Sequence, residues 1–228
     1  MYTLLLRLAA PLQSWGVDSK YDIRRTQREP TKSGVIGLIA SAMGRSREDS
    51  LEDLASLRFG VRVDQPGRLH RDFHMVKKDK KTSYLTYRYY IEDAVFLAGL
   101  ESDDKAFLNM ICDHLKAPSY PLFLGRRSCP PTHPFVLGVR EGELERILES
   151  EPWQVNPWRK ARLDNELQLY VESDGKSGAE RVQQDAPVSF DSRDRRYGFR
   201  FVRDAGTVFA QEEEYMTNHD PLQALRGI

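Results

Sequence analysis

Residues that build metal and disulfide scaffolds are scarce in this chain. Cysteine occurs twice in 228 residues, at Cys112 and Cys129. The two form no Cys-x-x-Cys pair, so they supply neither a zinc framework nor a disulfide scaffold. No apolar stretch approaches the ~20 residues that a membrane helix needs. The N-terminal apolar run is broken by Arg7 and ends in a polar loop, a pattern unlike a signal peptide. These absences predict a cytoplasmic protein with reduced thiols. Net charge is lacking too: 34 Lys and Arg balance 34 Asp and Glu. That argues against a coat protein that binds nucleic acid through pervasive basicity. There is no internal repeat or low-complexity segment.

What is present suits a globular protein with a large polar surface, 40% apolar and 30% charged, long enough for one large domain or two small ones. Charge is unevenly spread. Basic residues cluster at 20–32, 77–81 and 193–203, acids at 141–151 and 212–214. Such segregation predicts one face for an anion and another for protein neighbours.

Tyr2 to Gly44 organises the chain. Tyr2–Ala9 reads as a strand, with Leu4, Leu6 and Leu8 on one face. Pro30–Gly44 reads as a helix whose apolar stripe runs through Val35, Ile36, Leu38, Ile39, Ala42 and Met43. Thr31 or Ser33 can cap its start, and Gly44 can end it. Between them lies a polar loop, Pro11-Leu-Gln-Ser-Trp-Gly16, and a basic run with Lys20, Arg24, Arg25, Arg28 and Lys32. Cations that converge on a helix N-terminus suit a phosphate, and Gly34 and Gly37 leave room for close approach. The Gly-Lys-Ser/Thr ending of a Walker loop is missing. No cofactor motif and no small-molecule site is implied.

Further on, Arg45–Leu54 predicts a short helix. Leu57–Val63 alternates, with Leu57, Phe59, Val61 and Val63 inward and Arg58 and Arg62 outward. Residues 68–92 predict a long hairpin with a cationic tip at Lys77, Lys78, Lys80 and Lys81. Its tyrosines, Tyr87 among them, and Arg88 suit single-stranded RNA, where bases stack on rings and cations meet phosphates. They equally suit an ordinary hairpin with a lysine turn. His70 and His74, four apart in a strand or loop, do not share a face as they would in a helix, and a metal role is not expected.

Asp93–Leu100 predicts a strand and Ser102–Lys116 an amphipathic helix capped by Ser102. A closing strand is expected at Tyr120–Gly125. The order predicts an α+β, ferredoxin-like (RRM-type) βαββαβ domain, without the RRM aromatic signature. Gly125, Arg126, Arg127 and Ser128 then form a turn rich in phosphate donors. Beyond Phe135 the pattern predicts a short acidic helix at 142–149. An aromatic linker with Trp153 and Trp158 follows, then strands at 167–171, 188–190, 198–202 and 207–209.

Leu5–Gly16, Thr31–Gly44 and Pro121–Pro131 together resemble the CasD family, repeat-associated (RAMP) RNA-binding subunits of the type I-E CRISPR Cascade complex. The likeness covers most of residues 1–135. It implies a RAMP domain over 1–135, with residues 68–92 as a thumb that folds over the guide RNA, and a small β-rich part over 136–228. It implies that the 125–128 turn is the glycine-rich RNA loop of RAMP proteins. Gln13, Ser14, Trp15, Ser33 and Gly34 join the cations above as expected RNA contacts. The expected partners are the 5′ handle of CRISPR RNA, a CasC-like backbone subunit and a CasA-like large subunit, with no membrane.

A cleaving relative in type I-C systems makes a metal-independent endoribonuclease the alternative. That homologue uses a tyrosine with an adjacent lysine–histidine pair. This chain has no Lys-His dipeptide, and His114-Leu-Lys116 falls within the amphipathic helix. A non-catalytic binder is therefore expected.

Overall fold

A computed structural model describes residues 1–16, 23–77, 79, 82–176 and 180–210. In chain order it contains β1 (Tyr2–Ala9), β2 (Leu12–Gln13), β3 (Ile23–Arg24), α1 (Lys32–Ala42) and α2 (Glu52–Ala55). Next come β4 (Arg58–Gln65), β5 (Arg68–Lys77), β6 (Ser83–Glu92), β7 (Val95–Ser102) and α3 (Lys105–Lys116). The chain continues through β8 (Val136–Glu141), α4 (Leu144–Ser150), α5 (Pro157–Lys160), β9 (Glu166–Ser173), β10 (Glu180–Ser189) and β11 (Arg196–Phe209).

The main sheet runs β10-β11-β9-β4-β7-β1-β8, and its pairings are antiparallel. A second sheet is built on β6, which pairs with β2, with β5 and, in parallel, with β3. The C-terminal strands extend the main sheet through β9 on β4, so residues on both sides of position 135 share one sheet.

The main sheet is covered on both faces, which is why β1 reads as a nearly continuous apolar run. Leu4, Leu6 and Leu8 face the large core under α1 and α3, with Phe59, Phe96 and Leu108. Leu5 faces the other side, where Leu97, Leu169 and Val171 meet Leu144 and Leu148 of α4. A third cluster joins Ala9, Val95, Trp153, Val155 and Leu167.

This second layer corrects the expected outward arginine on β4. Arg62 is 1% exposed and lies on fully buried Asp64, with Nε 2.7 Å and Nη2 2.9 Å from the carboxylate. It also donates to the carbonyls of Leu148, Glu151 and Pro152. Alternation predicted the correct face, but the face away from the large core is covered as well.

The closing strand is also displaced. Tyr120–Gly125 is a loop, and the edge of β1 pairs instead with β8 at 136–141. Pro121 has no N–H to donate. Leu124 spends its own N–H on Cys129 O (2.7 Å), while its carbonyl accepts from Ser14 N (3.1 Å). The helix after β7 begins later than expected, because Asp104, not Ser102, accepts from the Phe107 N–H at 2.9 Å. Within 45–54 only the last turn is helical, as α2. Arg45 there is tied to the Ser50 carbonyl and to Asp53. The two strands expected at 198–202 and 207–209 are one, β11, with an irregularity between Asp204 and Thr207.

Candidate nucleic-acid interface

The site begins where the 124–129 turn meets the loop after β2. Gly125 has φ +87°, and a Cβ there would collide with the Ser14 carbonyl, so glycine is required on both counts. The turn is pinned by the Ser14 N–H on Leu124 O and closed by the Cys129 N–H on Arg126 O at 2.8 Å. Arg126 leaves this turn with its guanidinium 4.5 Å from the Tyr90 ring centroid, and its Nη2 donates to Arg24 O at 3.0 Å. Nη1 is buried without a partner. Burial pushes the Tyr90 phenol up, but the neighbouring Arg126 guanidinium and Ser128 hydroxyl outweigh it and hold the group below its usual value.

Trp15 supports the next wall. It is 1% exposed, and its backbone is fixed by Thr26 Oγ1 (2.8 Å) and the Gln27 N–H (2.7 Å). Its indole lies against α1, where a Cβ on Gly34 would come within 2.9 Å of the ring. Gln13 serves this packing. It accepts from Trp15 Nε1 at 3.1 Å and donates to Leu8 O and Ala94 O, fully buried.

The start of α1 is capped at one of the two expected residues, but it is not open to an anion as expected. Thr31 caps it by accepting from the Gly34 N–H at 3.2 Å. The Lys32 N–H donates to Asp185 Oδ2 at 2.8 Å, so a carboxylate of β10 already stands at this helix end. Asp185 is in turn held by Arg200 at 2.6 and 2.9 Å. Lys32 Nζ lies 2.8 Å from Glu172. Burial lowers the Lys32 pKa, with Glu172 opposing it. Lys32 thus belongs to a buried ion network that joins α1 to the C-terminal strands, and it does not face an open anion site.

These pieces surround a groove of about 810 Å³. Ser14, Trp15 and Gly16 line it, as do Ser33, Gly34, Gly37, Leu38, Ala40 and Ser41 of α1. The loop before and at Gly125 adds Pro121, Leu122, Phe123 and Arg126. The turn between β10 and β11 adds Phe190 and Arg195, and the start of β11 adds Tyr197. Among the described residues six arginines line the groove (Arg24, Arg25, Arg45, Arg47, Arg126 and Arg195) and no carboxylate does; of the six, Arg45 is already paired with Asp53.

Of the residues expected from the sequence, the groove gathers Ser14, Trp15, Arg24, Arg25, Ser33, Gly34, Gly125 and Arg126. Gln13 lies behind it, and Arg127 and Ser128 are exposed on the turn beside it. Arg28 lines a separate small pocket with Glu29, Leu69 and Gln168. Tyr87, under Arg71, and Arg88, whose Nε is buried without a partner, sit on the hairpin outside the groove lining. Lys77 is exposed at the end of β5, and Lys20, Lys78, Lys80 and Lys81 lie outside the described residues.

The sequence reading missed Arg45, Arg47, Phe190 and Tyr197. Arg45-Ser-Arg47 was a visible basic pair just past Gly44. The basic cluster at 193–203 has no position in the sequence pattern, because only the fold brings the β10–β11 turn to α1.

Fold and groove define the class: a mixed α/β protein of mostly antiparallel sheets with an arginine-lined groove along its first helix. Comparison with known proteins identifies the family. The chain belongs to the family described as CRISPR-associated protein (Cas_Cas5), whose sequence profile matches residues 3–203. It is 38% identical over 173 residues to the CRISPR system Cascade subunit CasD of Escherichia coli (strain K12), spanning 65% of this chain and 77% of that one. A structure described as a CRISPR RNA-guided surveillance complex contains a chain with TM-score 0.77 and 34% identity, each chain covered to 91%. A crystal structure of a Cas protein matches with TM-score 0.73 and 40% identity, over 92% of this chain and 98% of that one. The resemblance read from the N-terminal motifs is borne out.

Proposed function

We propose that this chain is the CasD-type subunit of a Cascade-like surveillance complex in antiviral defence. In this reading it holds the 5′ handle of CRISPR RNA in the groove along α1 and nucleates assembly in the cytoplasm. The observation that carries the reading is the lining itself, six arginines and no carboxylate among the described residues, on a chain whose formal charge is zero. A neutral protein that concentrates cations in one groove is built for a polyanion at that place. Arg126 lines the groove from the Gly125 turn, where a guanidinium suits a phosphate oxygen.

The order β1–α1–β4–β7–α3–β8 is read as ferredoxin-like, and the β5–β6 hairpin as the thumb. The arms of that hairpin expose Leu69, Phe73 and Met75, which suits contact with a CasC-like backbone subunit. A CasA-like large subunit is the second expected neighbour.

The ribonuclease reading keeps one observation in its favour, the lowered phenol of Tyr90 beside Arg126. Against it, the Tyr90 residue is only 5% exposed and its ring face is covered by the guanidinium, so a general base there would not reach a 2′-hydroxyl. The test is incubation of the purified chain with precursor repeat RNA in chelator, beside a filter-binding titration with the mature handle. Binding without cleavage is expected. Cleavage that disappears in Tyr90→Phe would replace this function with the ribonuclease.

A further inference from the structure

Phe190 and Tyr197 stand on either side of the turn between β10 and β11, with ring centroids 6.4 Å apart and planes tilted by 57°. Both are half-buried, and Arg195 is exposed between them in sequence. Its guanidinium lies 5.9 Å from the Phe190 centroid and 5.5 Å from that of Tyr197. All three line the arginine groove. Phe190 approaches α1 at Gly37, where a Cβ would already touch the ring at 3.4 Å. The turn is not loosely placed. Asp185 on β10 and Arg200 on β11 form a buried pair, and Asp185 accepts from the Lys32 N–H of α1.

Aromatic rings held rigidly in a cationic groove meet the requirements of base stacking: a π face, little side-chain entropy left to lose, and a cation for the adjoining phosphate. A groove that bound only the RNA backbone would need the arginines and not the rings. We infer that this turn is a stacking site for one unpaired nucleobase of the bound RNA, with Phe190 and Tyr197 taking the base and Arg195 its neighbouring phosphate. The inference rests on the RNA reading of the groove and places the C-terminal strands inside the guide-binding site. Stacking of this kind tolerates any base, so the site selects an unpaired nucleotide and not a sequence.

The experiment uses the whole complex assembled on a guide whose handle carries 2-aminopurine at one position at a time. One position is expected to be strongly quenched, with quenching kept in Tyr197→Phe and lost in Tyr197→Ala and Phe190→Ala. Handle affinity of the full chain should fall roughly 5- to 150-fold in the alanine variants, the range of one lost base stack. Arg126→Ala serves as control. If it weakens binding while Tyr197→Ala changes neither quenching nor affinity, the stacking site is overturned and the groove stands. If neither variant weakens binding, the RNA reading of the groove falls with it. Photocrosslinking of a 4-thiouridine handle to the unmodified protein checks the assignment without any variant. Crosslinks at 190–197 support it, and crosslinks confined to other segments overturn it.

Discussion

Single residues in this protein show how much depends on what a side chain meets across the fold. Gly125 combines a left-handed backbone with a carbonyl where a Cβ would go. Gly125→Ala should therefore cost at least about 1–3 kcal/mol in strain, read as a lower melting temperature, and should release the Arg126 turn from Ser14. Loss of handle binding beyond that of Arg126→Ala would follow, and an unchanged melting temperature would mean the turn is held differently. Glu145 gives a pH-dependent counterpart on the other side of the molecule. Burial raises its pKa, but the pair with Arg58 and the charge of Arg203 outweigh this and hold it below the usual 4.5. A depressed carboxylate contributes stability that is present above its unfolded pKa and lost as pH falls through the folded one. Glu145→Gln should thus destabilise by roughly 1 kcal/mol at neutral pH, discounted for partial exposure. The gap should close in denaturation curves as pH falls below the usual carboxylate range, through the depressed folded pKa. A gap that persists in acid would show that packing and not charge is lost.

At the level of elements, the hairpin separates into two parts that the sequence reading had merged. Its base belongs to the fold: β6 pairs with β2 at Gln13 and Ile91 and with β3 at Arg24 and Arg88, and Tyr90 and Ile91 are core residues. Beyond that base, β5 and the start of β6 are exposed, with Phe73 65% and Met75 60% accessible. Replacing 76–85 by a short Gly-Ser turn removes only the outer part. The melting temperature should stay within about 2 °C, as for surface changes worth under ~0.5 kcal/mol, while complex assembly should suffer. Collapse of the free chain would instead make the whole hairpin a core element. Elements set by local pattern were legible from sequence: β1 by its apolar run, α1 by its stripe and Thr31, α3 by its 3.6-residue period, the hairpin by its β-branched and aromatic arms. What was not legible depended on partners distant in the chain. Arg62 looked outward until α4 and Asp64 covered it. Tyr120–Gly125 looked like a strand until Ser14 and Cys129 took its hydrogen bonds. Lys32 looked like a phosphate ligand until Glu172, 140 residues away, paired with it.

At the scale of the whole molecule, equal numbers of acidic and basic side chains are sorted rather than mixed. Asp185, Glu172, Asp64 and Glu145 are spent on internal pairs with Arg200, Lys32, Arg62 and Arg58, whereas the described lining of the groove along α1 holds six arginines, of which Arg45 is paired with Asp53 outside that lining. Zero net charge should make long-range attraction to RNA weak, so affinity must come from phosphates seated in the groove, and each one displaces counterions. The salt dependence of handle binding is therefore a count of which cations are in contact. Removing a groove arginine should flatten the slope of log K against log salt by about 0.7 for each phosphate lost from a single strand. Arg24→Ala, Arg25→Ala and Arg126→Ala are expected to do so one by one. Arg28→Ala should leave the slope unchanged, since Arg28 lines another pocket. Lys32→Met should leave it unchanged too, because that ammonium is already neutralised by Glu172. A sequence-level view of one continuous basic loop from 20 to 32 predicts equal slope losses at Arg24, Arg25, Arg28 and Lys32. Titrations of these variants from 50 to about 300 mM salt, across which single-strand contacts weaken measurably, decide between the loop and the groove. If Arg28 and Lys32 flatten the slope as much as Arg24 and Arg25, the RNA lies across the start of α1 and not along it.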